Sequence, residues 1–273
     1  MIYDCFSFFN ENALLELRLN TLKDIVDKFI IIEANKTHAG KPKSQNFNKE
    51  FLKQFPDKII YVFLEDIPEL QNPWAYENYQ RNHILNVLKE QNCAANDIII
   101  ITNLDEIPSP AAIEMFHLIP DSIAALNQQF YCYYLNLLNC SEPLWDKGRI
   151  LEYKELFNPN HQIPQKINAI VKELNQTTTP TTIRFAKTNC FIKDGWHFSY
   201  IGGAETVKYK LENFAHQEYN TPQHTDISTI KGCLNNCEDV IGRDLKLEKV
   251  ELDNSFPKYL LENQDKYKEF ILA

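Results

Sequence analysis

The sequence predicts an α/β protein built on a mostly parallel sheet, and three observations carry that expectation. The runs "KFIIIEA" (28–34), "KIIYVFL" (58–64) and "DIIIIT" (97–102) are apolar at consecutive rather than alternate positions. That is the pattern of strands covered on both faces. Helical patterns separate them: "NENALLELRLNTLKDIV" places leucines at 14, 15, 17, 19 and 22, and "PWAYENYQRNHILNVLKEQ" (73–91) opens on Pro73. Polar residues then follow directly on the apolar runs, Glu33 on one and Asn103, Asp105 and Glu106 on another. In open parallel sheets ligands sit beyond those carboxyl ends.

Taken in order, "IYDCFSFF" (2–9) reads as a first strand, followed by the leucine-rich helix with Asn10 as its N-cap. The strands at 28–34 and 58–64, the helix at 73–91 and the strand at 97–102 complete a first half of nucleotide-like pattern over residues 1–121. From 122 to 273 the pattern changes to longer strands with meandering connections: "QQFYCYYLNLL" (128–138), "GRILEYKELF" (148–157) and "TIRFAKTNCFI" (182–192). "NQTTTPTT" (175–182) reads as a turn or loop. "GWHFSYIGG" (195–203) is a strand with a glycine turn, leading into helices at 204–219 and 257–272. No internal repeat is visible, and one continuous domain over 1–273 is expected.

Composition sets the bounds. A chain of 273 residues with 44% hydrophobic and 24% charged residues has enough apolar material for a sizeable core. The net charge of -9 leaves no general basic footprint for nucleic acid, so an anionic ligand must be met by local Lys and Arg or through a metal. Seven cysteines are an odd number without paired CxxC spacing; Cys233 and Cys237 stand four apart with no second ligand pair, which favours free thiols. The first residues carry Asp4, Asn10 and Glu11 rather than a basic start and a long apolar run, so no signal peptide is expected, and no run is long enough to span a membrane. A soluble, cytoplasmic protein is the expectation.

The stretch "IIIITNLDEIPSP" (98–110) poses the chemical question. Ser109 and Pro110 have the form of an N-cap and first helical residue for "SPAAIEMFHLI", and Glu106 suits the same turn. Asn103 and Asp105 alternate, and on an extended backbone they point to one side. Two oxygen-bearing side chains there suit a hard cation such as Mn²⁺ or Mg²⁺ that also engages phosphates.

Three blocks, "FNENALLELRLNTLKDIVDKFIIIEANKTHAGKPK" (9–43), "TNLDEIPS" (102–109) and "GWHFSYIGGAETVKYKLENFAHQE" (195–218), resemble the signature segments of glycosyltransferase family 17. The resemblance implies a GT-A fold, a Rossmann-like half fused to an acceptor-binding half. It also implies inverting, metal-dependent transfer of N-acetylglucosamine from UDP-N-acetylglucosamine to a glycan acceptor. The DxD motif of that family falls on Asn103-Leu104-Asp105, with an amide where the first acid stands; Asn103 can still offer its carbonyl oxygen, with less charge.

Further site residues follow from that resemblance, each with a plainer alternative. Glu33 is placed for the uridine, or for a salt bridge to Lys36 or Lys41. Arg81 suits a diphosphate or a sugar hydroxyl, or is an ordinary helix-surface arginine. His197, inside an apolar strand, completes the metal shell with Asn103 and Asp105, or is a core histidine. Glu205 stands in a first helical turn, as the general base or as an acid favoured by the helix dipole; Asp194 and Glu218 are its reserves. Lys210 suits the departing diphosphate, or a solvated helix face. Two other functions stay open: a sugar-phosphate nucleotidyltransferase, disfavoured by the lack of glycine in "FFNENALL", and a non-catalytic carbohydrate-binding module, which the amide at position 103 would allow.

Overall fold

The structure is a computed structural model that describes residues 1–119, 121–163 and 179–273. Its centre is one sheet of eleven strands. Strands β1 (Ile2–Phe8), β2 (Lys28–Ala34), β3 (Ile59–Leu64) and β4 (Ile98–Ile101) are mutually parallel, in the spatial order β3-β2-β1-β4. All four isoleucines of β4 are buried, as continuous apolar strands between two layers require. Two layers flank these strands. Helix α1 (Asn12–Leu22) supplies Leu15, Leu17, Leu19 and Leu22 to a core with Phe6, Phe29 and Ile100 on one face. The other face packs Ile30, Ile32, Ile99 and Ile101 against Ile84, Leu85 and Leu88 of helix α3 (Pro73–Glu90). A short helix α2 (Glu50–Gln54) lies between β2 and β3. Asn72 caps α3 by accepting a hydrogen bond from Ala75 N at 3.0 Å, with Pro73 in the first turn.

The sheet continues beyond β4 with changed directions. After β5 (Glu106–Ile107) and helix α4 (Pro110–Phe116) come β6 (Ile123–Cys132), β7 (Leu137–Asn139) and β8 (Leu144–Glu152). β8 is inserted antiparallel between β4 and β6. β9 (Phe191–Ile192) and β10 (Trp196–Ser199) run parallel to β6, and β11 (Leu247–Lys249) closes the edge against β7. The sheet is therefore mixed: the four strands of the first half are parallel to one another, and the second half combines antiparallel pairs with the parallel pairs β6–β9 and β6–β10. Among the described residues, no helix is long and apolar enough to cross a membrane.

Several expected elements differ. The run 182–192 is not a strand: Pro180–Ile183 is one helical turn, capped by Thr179, and only Phe191 and Ile192 pair with β6. Pro180 in the first position favours that turn over an extended chain. Residues 175–178 of the expected loop lie outside the described residues. The helix expected over 204–219 ends at Asn213, and the segment 257–272 breaks into short turns near Asn263. Asn10 does not cap α1 through its side chain; Glu11 occupies the N-cap position.

One buried side chain ties helix α1 to β1 and to the chain leaving β4. Arg18 of α1 is 0% exposed and forms a two-point ion pair with Asp4 of β1, at 2.8 and 2.6 Å. Its Nη1 donates to three carbonyl oxygens of the chain leaving β4: Asn103 at 2.8, Leu104 at 3.0 and Glu106 at 2.9 Å. Replacing Arg18 by Met leaves the buried Asp4 charge without its partner, a loss of about 3–5 kcal/mol. Urea unfolding is expected to show a loss of that size; a loss below about 1 kcal/mol would mean that the guanidinium is not essential to the fold.

Candidate active site

The chain leaves β4 at Ile101 and turns at once, with Glu106 N donating back to Asn103 O at 3.0 Å. The expected extended backbone through Asn103 and Asp105 is thus absent, because Arg18 gathers three carbonyls that a strand would spread apart. The two side chains accordingly part company. Asn103 Oδ1 accepts a hydrogen bond from Arg81 Nη2 at 3.0 Å, while the same arginine pairs with Glu77 one turn earlier on α3. Asp105 instead faces Lys210 and His197.

Strand pairing explains the meeting with His197. β5 lies antiparallel to β10, with Glu106 opposite His197 and Ile107 opposite Trp196, and Phe198 N donates to Asp105 O at 2.8 Å. The approach needs Gly195: its φ is +111°, and a Cβ there would stand 2.6 Å from Ile107 O. Asp105 Oδ1 and His197 Nε2 end 3.8 Å apart. The imidazole packs against the rings of Phe130 and Trp145, at 4.6 and 4.5 Å between centroids, and these two rings also touch each other at 5.4 Å. Burial pushes its pKa below the ordinary 6.5, with Asp105 and Glu106 opposing. The ring is therefore neutral, as a metal ligand must be, and its buried Nδ1 has no hydrogen-bond partner.

Glu106 sits in the same cluster but is already committed. Arg184 binds both of its oxygens, at 2.8 and 2.7 Å, Trp145 Nε1 donates at 2.8 Å and Asn103 N at 2.9 Å. Burial alone would raise this carboxyl, but the Arg184 guanidinium and these donors hold it well below the usual carboxylate range. Glu106 orders the turn and, through Trp145, the plane of His197.

Asp105, Glu106 and His197 each offer a ligand atom, and these atoms lie within 4.8 Å of one another. Bonds of about 2.1 Å to an octahedral cation put two ligand atoms about 3.0 to 4.2 Å apart. The Asp105–His197 separation falls inside that window, and a carboxylate with a neutral imidazole suits Mn²⁺ chemically. These two residues fit a divalent cation. Asn103, the third ligand expected, accepts from Arg81 with the same oxygen that would face a cation, and an amide oxygen keeps a second lone pair.

The remaining expected residues divide. Lys210, on the helix Gly203–Asn213, reaches Asp105 Oδ2 at 3.1 Å and lies over the Tyr200 ring at 5.0 Å. Tyr200 and its neighbour Tyr133 both have left-handed backbones, φ +59° and +68°, at the ends of β10 and β6. A bulky residue holds that conformation only where its surroundings enforce it. Glu205 is exposed on the same helix as Lys210. Five residues turn a helix by about 140° from one side chain to the other, so the face that brings Lys210 to Asp105 turns Glu205 away. Glu33 is 0% exposed and its oxygens serve the chain itself: Lys43 pairs with it, Asn46 N donates at 2.7 Å, Phe47 N at 3.2 Å and Tyr61 OH at 2.6 Å. The salt-bridge alternative was right in kind, with Lys43 in place of Lys36 or Lys41. Of the reserves, Asp194 accepts from Gly195 N at 2.8 Å and Glu218 pairs with His216 at 2.6 Å.

Sequence reasoning missed Arg184, Trp145, Glu77 and Glu11. The charge of Glu11, at the N-cap of α1, acts on Lys210 and Lys43. Its place between an apolar strand and a leucine-rich helix was the one available signal.

The fold and the acid–histidine cluster fit a sugar-transferring enzyme, and the glycosyltransferase family 17 model matches residues 1–147. The chain belongs to glycosyltransferase family 17. It is 32% identical over 111 residues to the human and the rat beta-1,4-mannosyl-glycoprotein 4-beta-N-acetylglucosaminyltransferases, and 31% identical to the mouse protein. Each match covers 37% of this chain and 20% of the relative, so the similarity spans about a fifth of the length of those curated proteins.

The Glu106–Arg184 pair predicts a pH signature. A carboxyl depressed in the fold contributes stability that is fully present above its unfolded value, about 4.5, and is lost as pH falls below it. Glu106→Gln should therefore cost about 3–5 kcal/mol at neutral pH, by leaving buried Arg184 unpaired. The gap between wild type and variant, read from urea unfolding, should narrow as pH drops through 4.5. A gap constant from neutrality to pH of about 3 would refute the pairing as the cause of the depressed carboxyl.

Proposed function

We propose that the protein is an inverting, metal-dependent glycosyltransferase of GT-A architecture. It would transfer N-acetylglucosamine from UDP-N-acetylglucosamine to a hydroxyl of a glycan acceptor. The observation that carries this reading is the convergence of Asp105, His197 and Lys210 at the carboxyl edge of the parallel strands. That edge is where open α/β sheets take their ligands. The donor is inferred from the N-acetylglucosaminyltransferase relatives.

The residues divide the work as follows. Asp105 and His197 would hold a divalent cation, preferably Mn²⁺, which would supply charge neutralisation for the departing UDP. Lys210 supplies a second positive charge on the same flank. Arg81, fixed by Glu77 and Asn103, presents its guanidinium at the opposite flank, with the planar form suited to a phosphate or a sugar diol. The acceptor hydroxyl attacks the anomeric carbon from the face opposite UDP, so an α-linked donor gives a β-linked product. Glu33 and Glu205 take no part in this version: the first is spent inside the fold, and the second faces away.

Two variants test the assignment, with UDP-N-acetylglucosamine turnover and product mass as readouts. Asp105→Ala should lower turnover at least about 100-fold, since even outer-shell partners of a metal are worth about 10–100-fold. Wild-type activity in that variant with Mn²⁺ present would remove Asp105 from the site. Glu205→Gln should stay within about threefold of wild type; a loss in the range of about 10²–10⁴-fold with unchanged donor affinity would instead establish Glu205 as the base.

A further inference from the structure

Lys210 differs from the other cations around this edge. Arg18 is committed to Asp4, Arg184 to Glu106, Arg81 to Glu77 and Asn103, and Lys43 to Glu33. Each of those pairs can persist when a ligand enters. The partner of Lys210 is Asp105, the carboxylate that a metal needs. Its ammonium sits 3.1 Å from Oδ2, while Oδ1 faces His197. Burial works against its charge, but Asp105, Glu11 and Tyr200 raise its pKa overall.

An ammonium and a dication on one carboxylate repel each other. A cation entering between Asp105 and His197 must therefore displace Lys210, leaving it next to a double positive charge with the Tyr200 face and the Glu11 charge to set against it. A lysine on a flexible four-carbon stem can swing to a new partner, and a diphosphate supplies one.

We infer that Lys210 is an exchangeable counter-ion, held by Asp105 and Tyr200 in the free protein and handed to the donor diphosphate, so that a divalent cation and a nucleoside diphosphate bind with positive coupling. This rests on the proposed function. In the free protein Lys210 keeps the metal position neutralised. With both ligands present, the carboxylate serves the cation and the ammonium serves the phosphates. By linkage, each ligand then raises the affinity of the other by the same factor.

Calorimetric titration tests it, with Mn²⁺ alone, UDP alone, and Mn²⁺ at saturating UDP corrected for their complex in solution. Wild type should bind Mn²⁺ weakly alone and more tightly with UDP. Lys210→Met should bind Mn²⁺ alone at least about fivefold tighter than wild type, and its coupling factor should fall at least about fivefold, the low end of typical coupling. Lys210→Arg should retain the wild-type pattern, and Lys210→Gln repeats the neutral change should the methionine variant lose its fold on melting. If the neutral variants bind Mn²⁺ alone no tighter than wild type, with unchanged coupling, the exchange is wrong while the proposed function stands. If wild type itself binds neither Mn²⁺ nor UDP, both fall together.

Discussion

The Arg18 guanidinium is the constraint on which the site depends. It is buried, paired at two points with Asp4, and gathers the carbonyls of residues 103, 104 and 106. Without it, the chain leaving β4 would have three inward carbonyls lacking donors, and an extended continuation would be the easier path. With it, the turn after β4 tightens, Asn103 and Asp105 diverge, and residues 105–107 are free to pair with β10. The position of the candidate metal ligands is thus set by a side chain that faces away from them.

A second network fixes the histidine. Glu106 spends both oxygens on Arg184 and accepts from the Trp145 indole, and that indole together with Phe130 packs against the His197 ring. A ligating imidazole needs its plane defined and its charge absent. Stacking supplies the first and burial the second. Glu106 therefore contributes to the site by orientation, though its position next to Asp105 in the sequence suggests a ligand.

The first half of the fold was legible because continuous apolar runs have few alternatives. "KFIIIEA" is β2 to the residue, and the four isoleucines of β4 are all buried. Ser109 and Pro110 open α4 as their types demand. The second half was less so. Residues 182–192 alternate in a way that suits a strand, yet Thr179 and Pro180 start a helical turn there and Arg184 is drawn inward to Glu106. Long-range charge pairing of that kind leaves no local periodicity. The same limit explains the site. Asp105, His197 and Lys210 were legible as chemistry-bearing residue types in recognisable segments. The parting of Asn103 from Asp105 depends on Arg18, some 85 residues distant in the chain, and Glu205 looked useful only while its helix face was unknown.

Charge is the remaining step. The chain carries a net -9, which by itself would repel a diphosphate. Around the carboxyl edge of the parallel strands that excess is offset locally: Arg81, Lys210, Lys43 and Arg184 stand there. These four cations are matched one for one by Glu77, Asp105, Glu33 and Glu106, so the edge is close to neutral in the absence of ligand. A neutral, preorganised edge avoids the cost of burying unpaired like charges, and so keeps the fold stable while the site waits. It also means that positive charge becomes available to an anion only by breaking a pair. Of the four, the Lys210–Asp105 pair is the one with the most exposed cation, 24% against 6% or less for the others. The least expensive pair to open is therefore the one whose opening frees both the carboxylate proposed for the metal and the ammonium proposed for the phosphates.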